Sequence, residues 1–348
     1  MKTGNRQLSK PRPNRSGYCD YTFDYMSHKL LKLAGEGPLA ILVHARPDGD
    51  CIGSAFALSS LLGLLGCETR IISADPLPSR LAFIAKDRPE LFVHGCPEGG
   101  EFGPGAGAVA IDVAAPELLG SLDGKYNVLL GIDHHSGSTQ FSDRYLDADS
   151  AAAGEIVWRI ARSWLRTGVI DDIPTSAAAA CYAAVSSDTG CFRYSNVTSS
   201  THRIAAQLIE RVPYHAEIDR QLFEIKTPGR IAAEKLASEL LKSYCDGKIT
   251  VCAASYEQIS GSGLPTEDLD ALVDVARAVD GAEIAFSVRG EMDGSFRVSA
   301  RSNTDADVSA LCSSFGGGGH LRAAGCTLRC ESIASAVDMI VSAAGGII

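Results

Sequence analysis

Eight acidic and imidazole side chains fall in four short segments of this chain, and their types point to metal chemistry. "VHARPDGD" carries His44, Asp48 and Asp50, "AVAIDV" carries Asp112, "LLGIDHH" carries Asp133, His134 and His135, and "AVSSDTG" carries Asp188. Taken singly, an aspartate after a strand is a helix cap or a turn residue, and a lone histidine is a core residue with a hydrogen bond. Together they read differently. Carboxylates held close repel one another and are driven towards protonation unless cations are present. Two divalent ions would balance the roughly four charges of Asp48, Asp50, Asp112 and Asp188. Hard oxygen with some imidazole suits Mn2+ better than Ca2+ or a thiolate zinc site.

The elements that must position these groups are short. Continuous apolar runs at 39–44, 68–73, 108–112 and 127–133 alternate with helical patterns at 51–65, 151–166, 175–187 and 200–211. That alternation predicts a parallel sheet covered by helices, with strands buried on both faces. In such sheets ligands sit outside the carboxyl ends of the strands, which is where the first three segments fall. Asp188 follows an alanine-rich helix, and Thr189-Gly190 can turn the chain there. Residues 218–241 read as a further helix, with Pro228 suited to a first turn. Beyond Asp246 the texture becomes strand, helix and hairpin, with Asp293-Gly294 as the hairpin turn. A glycine run, "FGGGGHLRAAG", follows.

Length and composition bound the reading. A chain of 348 residues, 45% hydrophobic and 21% charged, accommodates two sizeable domains. No apolar run approaches the roughly 20 residues that span a bilayer, and the basic N-terminus lacks a signal-peptide core, so a cytoplasmic protein without membrane association is expected. Eleven cysteines without an export signal are expected to be free thiols. Cys326 and Cys330 lack a second ligand pair at zinc spacing. A net charge of −10 argues against a broad grip on long duplex nucleic acid, which needs many Lys and Arg contacts. Gly316 to Gly319 are not followed by Gly-Lys-Ser/Thr, so a triphosphate P-loop is not expected. With His320 and Arg322 after them and Arg301 before, they read as a site for a substrate's base and phosphate.

In order along the chain, these segments resemble the DHH family of phosphoesterases. His44-Ala45-Arg46-Pro47-Asp48-Gly49-Asp50 matches its H-x-x-x-D-x-D motif, Asp112 its strand-end aspartate, Asp133-His134-His135 its D-H-H motif and Asp188-Thr189-Gly190 its D-T-G motif. Arg301-Ser302 and "GGGGHLRAAG" look like its associated C-terminal domain. Ser138 stands where the family often has Asn. The resemblance covers roughly residues 25 to 345 and is strongest to two-domain bacterial enzymes that degrade very short RNAs and dephosphorylate 3′-phosphoadenosine 5′-phosphate (pAp).

The basic, polar N-terminus is expected to be a disordered tail over 1–24, and the resemblance implies an α/β parallel-sheet catalytic domain over 25–215, a helical connector over 216–245 and a smaller α/β substrate-binding domain over 246–348, with the active site in the cleft between domains. It further implies two Mn2+ ions, with Mg2+ or Co2+ as substitutes. His44 and Asp48 would hold one, Asp50, His134 and Asp188 the other, and Asp112 would bridge them. Asp133 and His135 would position phosphate and neighbouring ligands. Arg301, Ser302, Gly317, Gly318, Gly319, His320 and Arg322 would bind substrate. Short oligoribonucleotides and pAp are the expected substrates, cyclic di-AMP or linear pApA further ones, and a homodimer an expected assembly. A RecJ-type single-strand DNA exonuclease would be expected to add a nucleic-acid-binding domain and a long basic groove. A pyrophosphatase would carry a different, Lys/Arg-rich C-terminal domain. A catalytically silent nucleotide sensor would have lost a metal ligand, and all six are present.

Overall fold

The computed structural model describes residues 19, 20, 22–135 and 141–348, and divides into two compact units, Met1–Ile225 and Lys226–Ile348. Most of the expected basic tail, and Ser138, lie outside the described residues. The end of that tail is structured: Cys19–Asp20 forms strand β1, and Thr22 caps helix α1 (Phe23–Glu36) through a hydrogen bond from the Tyr25 N–H.

In the first unit there follow β2 (Leu39–Leu42), α2 (Gly49–Leu64), β3 (Thr69–Ser73), β4 (Phe92–His94), β5 (Gly107–Ile111), β6 (Asn127–Asp133), β7 (Asp143–Leu146), α3 (Ala153–Thr167), α4 (Thr175–Asp188), α5 (Ser199–Arg211) and α6 (His215–Asp219). The described strands form one sheet in the order β1-β7-β6-β5-β2-β3-β4, with every neighbouring pair parallel. From β2 the chain steps outward through β3 to β4, then returns to β5 and builds the other half. The reversal therefore falls between β2 and β5, the switch point whose crevice binds ligands in open parallel sheets.

Burial explains the continuous apolar runs. Leu39, Ile41 and Val43 enter the core shared with α1 to α4, while Ala40 and Leu42 enter a second core on the opposite face. Helix α2 is buried on nearly all sides, and the small side chains of α4, "AAAACYAA", let the two helices pack closely.

The expected connector is not one helix. Helix α6 ends at Asp219, a π-helical turn spans Arg220–Glu224, and α7 (Pro228–Leu240) starts afresh with Thr227 as cap and Pro228 in its first turn. Because α7 packs on α9 it belongs to the second unit. That unit continues with β8 (Leu241–Tyr244), β9 (Ile249–Ala254), α8 (Tyr256–Ser262), α9 (Ala271–Arg277), β10 (Ile284–Gly290), β11 (Phe296–Ser302), α10 (Val308–Ser314), β12 (Gly318–His320), β13 (Ala323–Leu328) and α11 (Ile333–Ala344). Its mixed sheet runs β12-β13-β11-β10-β9-β8, parallel only between β9 and β10. Strands β10 and β11 form the expected hairpin around Asp293-Gly294, pairing Gly290 with Phe296. Among the described residues, no helix is long and apolar enough to cross a membrane.

Candidate active site

The switch point delivers the first group of side chains. Strand β2 leads into His44, whose Nδ1 donates to the Ala45 carbonyl at 2.8 Å. A carbonyl only accepts, so Nδ1 carries a proton and Nε2 faces the carboxylates, 3.7 Å from Asp48 Oδ1 and 3.9 Å from Asp112 Oδ2. Asp48 is the N-cap of α2, accepting from the Asp50 and Cys51 N–H groups at 3.1 Å each. The cap reading and the ligand reading thus describe one residue.

Asp50, one residue into α2, is 1% exposed. It accepts from Ser54 Oγ at 2.9 Å and from the Ala153 and Gly154 N–H groups at 2.7 and 3.0 Å. Those amides open α3, whose cap residue Ala152 offers no side-chain acceptor, so the carboxylate of Asp50 satisfies the helix start.

Asp112 leaves β5 with φ of +56°, a left-handed conformation that aspartate tolerates better than most residues but that still costs energy. Its Oδ1 lies 3.4 Å from His134 Nε2 while its Oδ2 faces His44, so its two oxygens address the two groups. His134 Nε2 is also 3.5 Å from Asp50 Oδ2 and 3.7 Å from Asp188 Oδ2, and its Nδ1 is held by the Ser150 carbonyl at 3.2 Å. Asp133 Oδ1 accepts from the His134 and His135 N–H groups and from His135 Nδ1 at 2.8 Å. Asp188 is the last residue of α4, where Gly190 takes a φ of +56° to turn the chain, and a Cβ there would sit 2.3 Å from the Tyr194 ring.

Two donor groups result, His44, Asp48 and Asp112 on one side and Asp50, His134 and Asp188 on the other. In each, the ligand atoms lie within 4.8 Å of one another. Asp112 and His134 also group with His135. Asp112 Oδ1, Asp133 Oδ2 and His134 Nε2 are buried without a hydrogen-bond partner. Such atoms are costly unless a cation completes them, so this oxygen and imidazole set fits divalent metals. Cys51 Sγ adjoins the first group, but burial and the Asp48 and Asp112 charges push its thiol well above the usual range, which disfavours the thiolate a metal needs.

The protons record the same crowding. Burial, then the charge of Asp112, raises Asp50 well above the usual carboxylate range. Burial, with the charges of Asp112 and Asp48 added and His134 opposing, pushes Asp188 up to about 7. Burial alone would lower the histidines, yet the surrounding carboxylates hold His44 at about 9 and His134 at about 10. Burial would likewise raise Asp48, but His44 brings it down to about 2.

The second unit places its expected residues less uniformly. Arg301, on β11, is half-buried and donates to the Ala300 carbonyl at 3.0 Å. Ser302 does not present its hydroxyl as expected: it is 1% exposed, and its Oγ bonds the Thr304 carbonyl and N–H at 3.0 and 3.2 Å, holding the turn after β11. The glycine run is not a loop throughout, because Gly318–His320 is strand β12, paired with β13. Gly317 approaches β13 so closely that a Cβ would meet the Gly325 carbonyl oxygen at 2.1 Å, whereas Gly318 faces open space. Gly319 pairs with Ala324. Arg322 is exposed and paired with Asp305 at 2.7 Å. Sequence reasoning missed Ser54, Ser150 and the α3 amides. Ser54, four residues after Asp50 on one helix, had a local signal; the α3 amides, about a hundred residues away, had none.

A parallel sheet whose switch point gathers two adjoining His/Asp groups is the frame of a metal-assisted hydrolase, and relatives agree. Residues 230–345 match the DHHA1 domain. Over 320 residues the chain is 30% identical to the bifunctional oligoribonuclease and PAP phosphatase of Thermus thermophilus, spanning 89% of this chain and 90% of that protein. It is 26% identical over 295 residues to the Bacillus subtilis protein of the same description, spanning 82% and 87%. Among solved structures, an exopolyphosphatase-related protein from Bacteroides fragilis shares the fold with a TM-score of 0.79 at 19% identity, covering 93% of this chain and 96% of that one. Thermus thermophilus RecJ, solved in complex with Mn2+, gives 0.53 at 13% identity, covering 97% of this chain but 56% of RecJ. The chain belongs to the DHH family of phosphoesterases, with a DHHA1 domain as its second unit. It is a hydrolase of phosphate esters.

Proposed function

We propose that this phosphoesterase hydrolyses short oligoribonucleotides, from di- to pentanucleotides, to mononucleotides and pAp to AMP, with linear pApA or cyclic di-AMP as further substrates. The observation that carries the reading is the pair of His/Asp groups joined by Asp112, with the buried Asp112 Oδ1 and His134 Nε2 left for cations to complete. In this reading His44 and Asp48 would hold one ion, Asp50, His134 and Asp188 the other, and Asp112 would contribute to both. Mn2+ suits the donors, with Mg2+ or Co2+ as substitutes. Bound divalent ions would supply an activated water and offset the charge on the phosphate oxygens.

The chain's own groups do the rest. Asp50 is oriented by Ser54 and the α3 amides, and the Nδ1 bonds of His44 and His134 keep each Nε2 turned inward. Asp133 holds the His135 ring through Nδ1 and raises its pKa, so that the protonated ring would offer its Nε2–H to a phosphate oxygen. Arg301, His320 and Arg322 supply the positive charge and hydrogen-bond donors that a nucleotide needs away from the metals. Supporting the short-substrate reading are the activities of the relatives and the net charge of −10, which disfavours a broad grip on a long nucleic acid.

The test uses one chelated preparation. Phosphate release from pAp and AMP release from pApA should both vanish after chelation, return together with Mn2+, and stay absent in Asp112→Asn. Turnover that survives chelation would contradict the proposal.

A further inference from the structure

Helices α3 and α5 flank an open groove of about 660 Å³ whose wall, among the described residues, holds Arg159, Arg162, Arg166 and Arg203 and no aspartate or glutamate. In a chain of net charge −10 this is a local concentration of the opposite sign. Arg159, Arg162 and Arg166 recur at helical spacing and share one face of α3. Arg203 comes from α5. Among the described residues, Arg162, Arg166 and Arg203 make no ion pair. Arg159 is partly committed: it pairs with Asp147, donates to Ser150 Oγ at 2.8 Å and lies over the Phe23 ring, yet its Nε is buried without a partner. Trp158, 1% exposed, adds apolar wall.

We propose that this groove is a second, non-catalytic site for a nucleotide bearing three or more phosphates, and that its occupation weakens the metal site. Three unneutralised guanidiniums match three phosphates, and planar guanidinium forks are the groups that grip them. The volume suits one nucleotide, since small-ligand sites run about 300–1,000 Å³. The half-buried Phe23, with Leu165 and Ile204 beside it, gives a base an apolar edge. A nucleic-acid chain would instead need a basic track running beyond the groove, and the acidic balance of the chain does not favour one. The coupling runs through Arg159. It holds Ser150, whose carbonyl accepts from His134 Nδ1 at 3.2 Å. A phosphate that recruits Arg159 withdraws that support.

ATP serves as the probe, and the chain reports binding by itself, because its two tryptophans, Trp158 and Trp164, both lie on α3. Full-length protein in EDTA should show saturable fluorescence quenching by ATP, with inorganic tripolyphosphate competing and AMP binding at least about tenfold more weakly. The triple variant Arg162→Ala, Arg166→Ala, Arg203→Ala should lose at least about tenfold in affinity. Arg203→Glu alone is a second variant, and Asp112→Asn should bind ATP normally. At constant free Mn2+, ATP should slow hydrolysis of a nitrophenyl phosphodiester several-fold in the natural protein and far less in the triple variant. Unsaturable quenching, unchanged affinity in both arginine variants, or tighter binding of a 12-mer RNA than of ATP would overturn the site. Equal inhibition of the natural protein and the triple variant would overturn the coupling.

Discussion

Loading the metal site with Mn2+ at pH 7 should release on the order of two to three protons per protein, and metal affinity should climb steeply with pH. With His44 held at about 9 and His134 at about 10, both rings carry an extra proton at neutral pH that a metal must displace. Asp188, at about 7, adds roughly half a proton. The same shifts govern the stability of the metal-free protein. All three values are raised by folding, so the stabilisation these groups give is fully present at low pH and lost as pH rises. Asp188 loses its share between 3.8 and about 7, and the histidines lose theirs from 6.5 through about 9 and 10. Since one unit is worth about 1.4 kcal/mol, each histidine accounts for a few kcal/mol. Asp48, lowered to about 2, acts oppositely and is lost only in strong acid. Calorimetric titration with Mn2+ in two buffers of different ionisation heat counts the protons. Melting in EDTA should show Tm falling from pH 6.5 to 10, and the Mn2+-loaded protein should hold its Tm over that range. Release of less than one proton at pH 7, or a metal-free Tm that rises over that range, would show that these groups are not held protonated before the metal binds.

Asp112→Asn should cut kcat by about 10³ or more on any substrate, because one side chain addresses both donor groups; Mn2+ content by elemental analysis should fall with it. Ser54→Ala frees one side of the buried Asp50 carboxylate and should weaken Mn2+ binding about tenfold while leaving the fold intact, read by metal titration and circular dichroism. Gly317→Ala drives a methyl group into the Gly325 carbonyl and should destabilise the second unit, raising KM for dinucleotides more than for a nitrophenyl phosphodiester, with metal content unchanged.

Much of the site was legible because its ligands stand at the ends of strongly patterned elements. Strands β2, β5 and β6 are continuous apolar runs buried on both faces, so their ends, and with them His44, Asp112 and Asp133, could be placed from sequence. Strand β7, "DRYL", is short and mixed in character and gave no such signal, and β1 and β4 are shorter still. Helix α1 followed a polar, basic stretch that drew the eye to disorder, although Thr22 caps it. The glycines of β12 carry no side-chain pattern, so pairing with β13 could not be foreseen. The break between α6 and α7 was masked by apolar spacing that runs through both, even though Thr227-Pro228 is a helix start. Supports from distant segments, such as the Ser150 carbonyl behind His134, exist only once the chain has folded.

The proposed activity is hydrolysis of very short nucleotides at a metal pair without a long nucleic-acid track. The decisive comparison is kcat/KM for RNAs of two, five and 24 nucleotides in Mn2+, at low and high salt, with and without residues 1 to 18. Efficiency should fall beyond about five nucleotides and depend weakly on salt, because few phosphates are gripped. Equal efficiency on 24-mers and dinucleotides by the truncated protein would contradict it and favour a single-strand exonuclease.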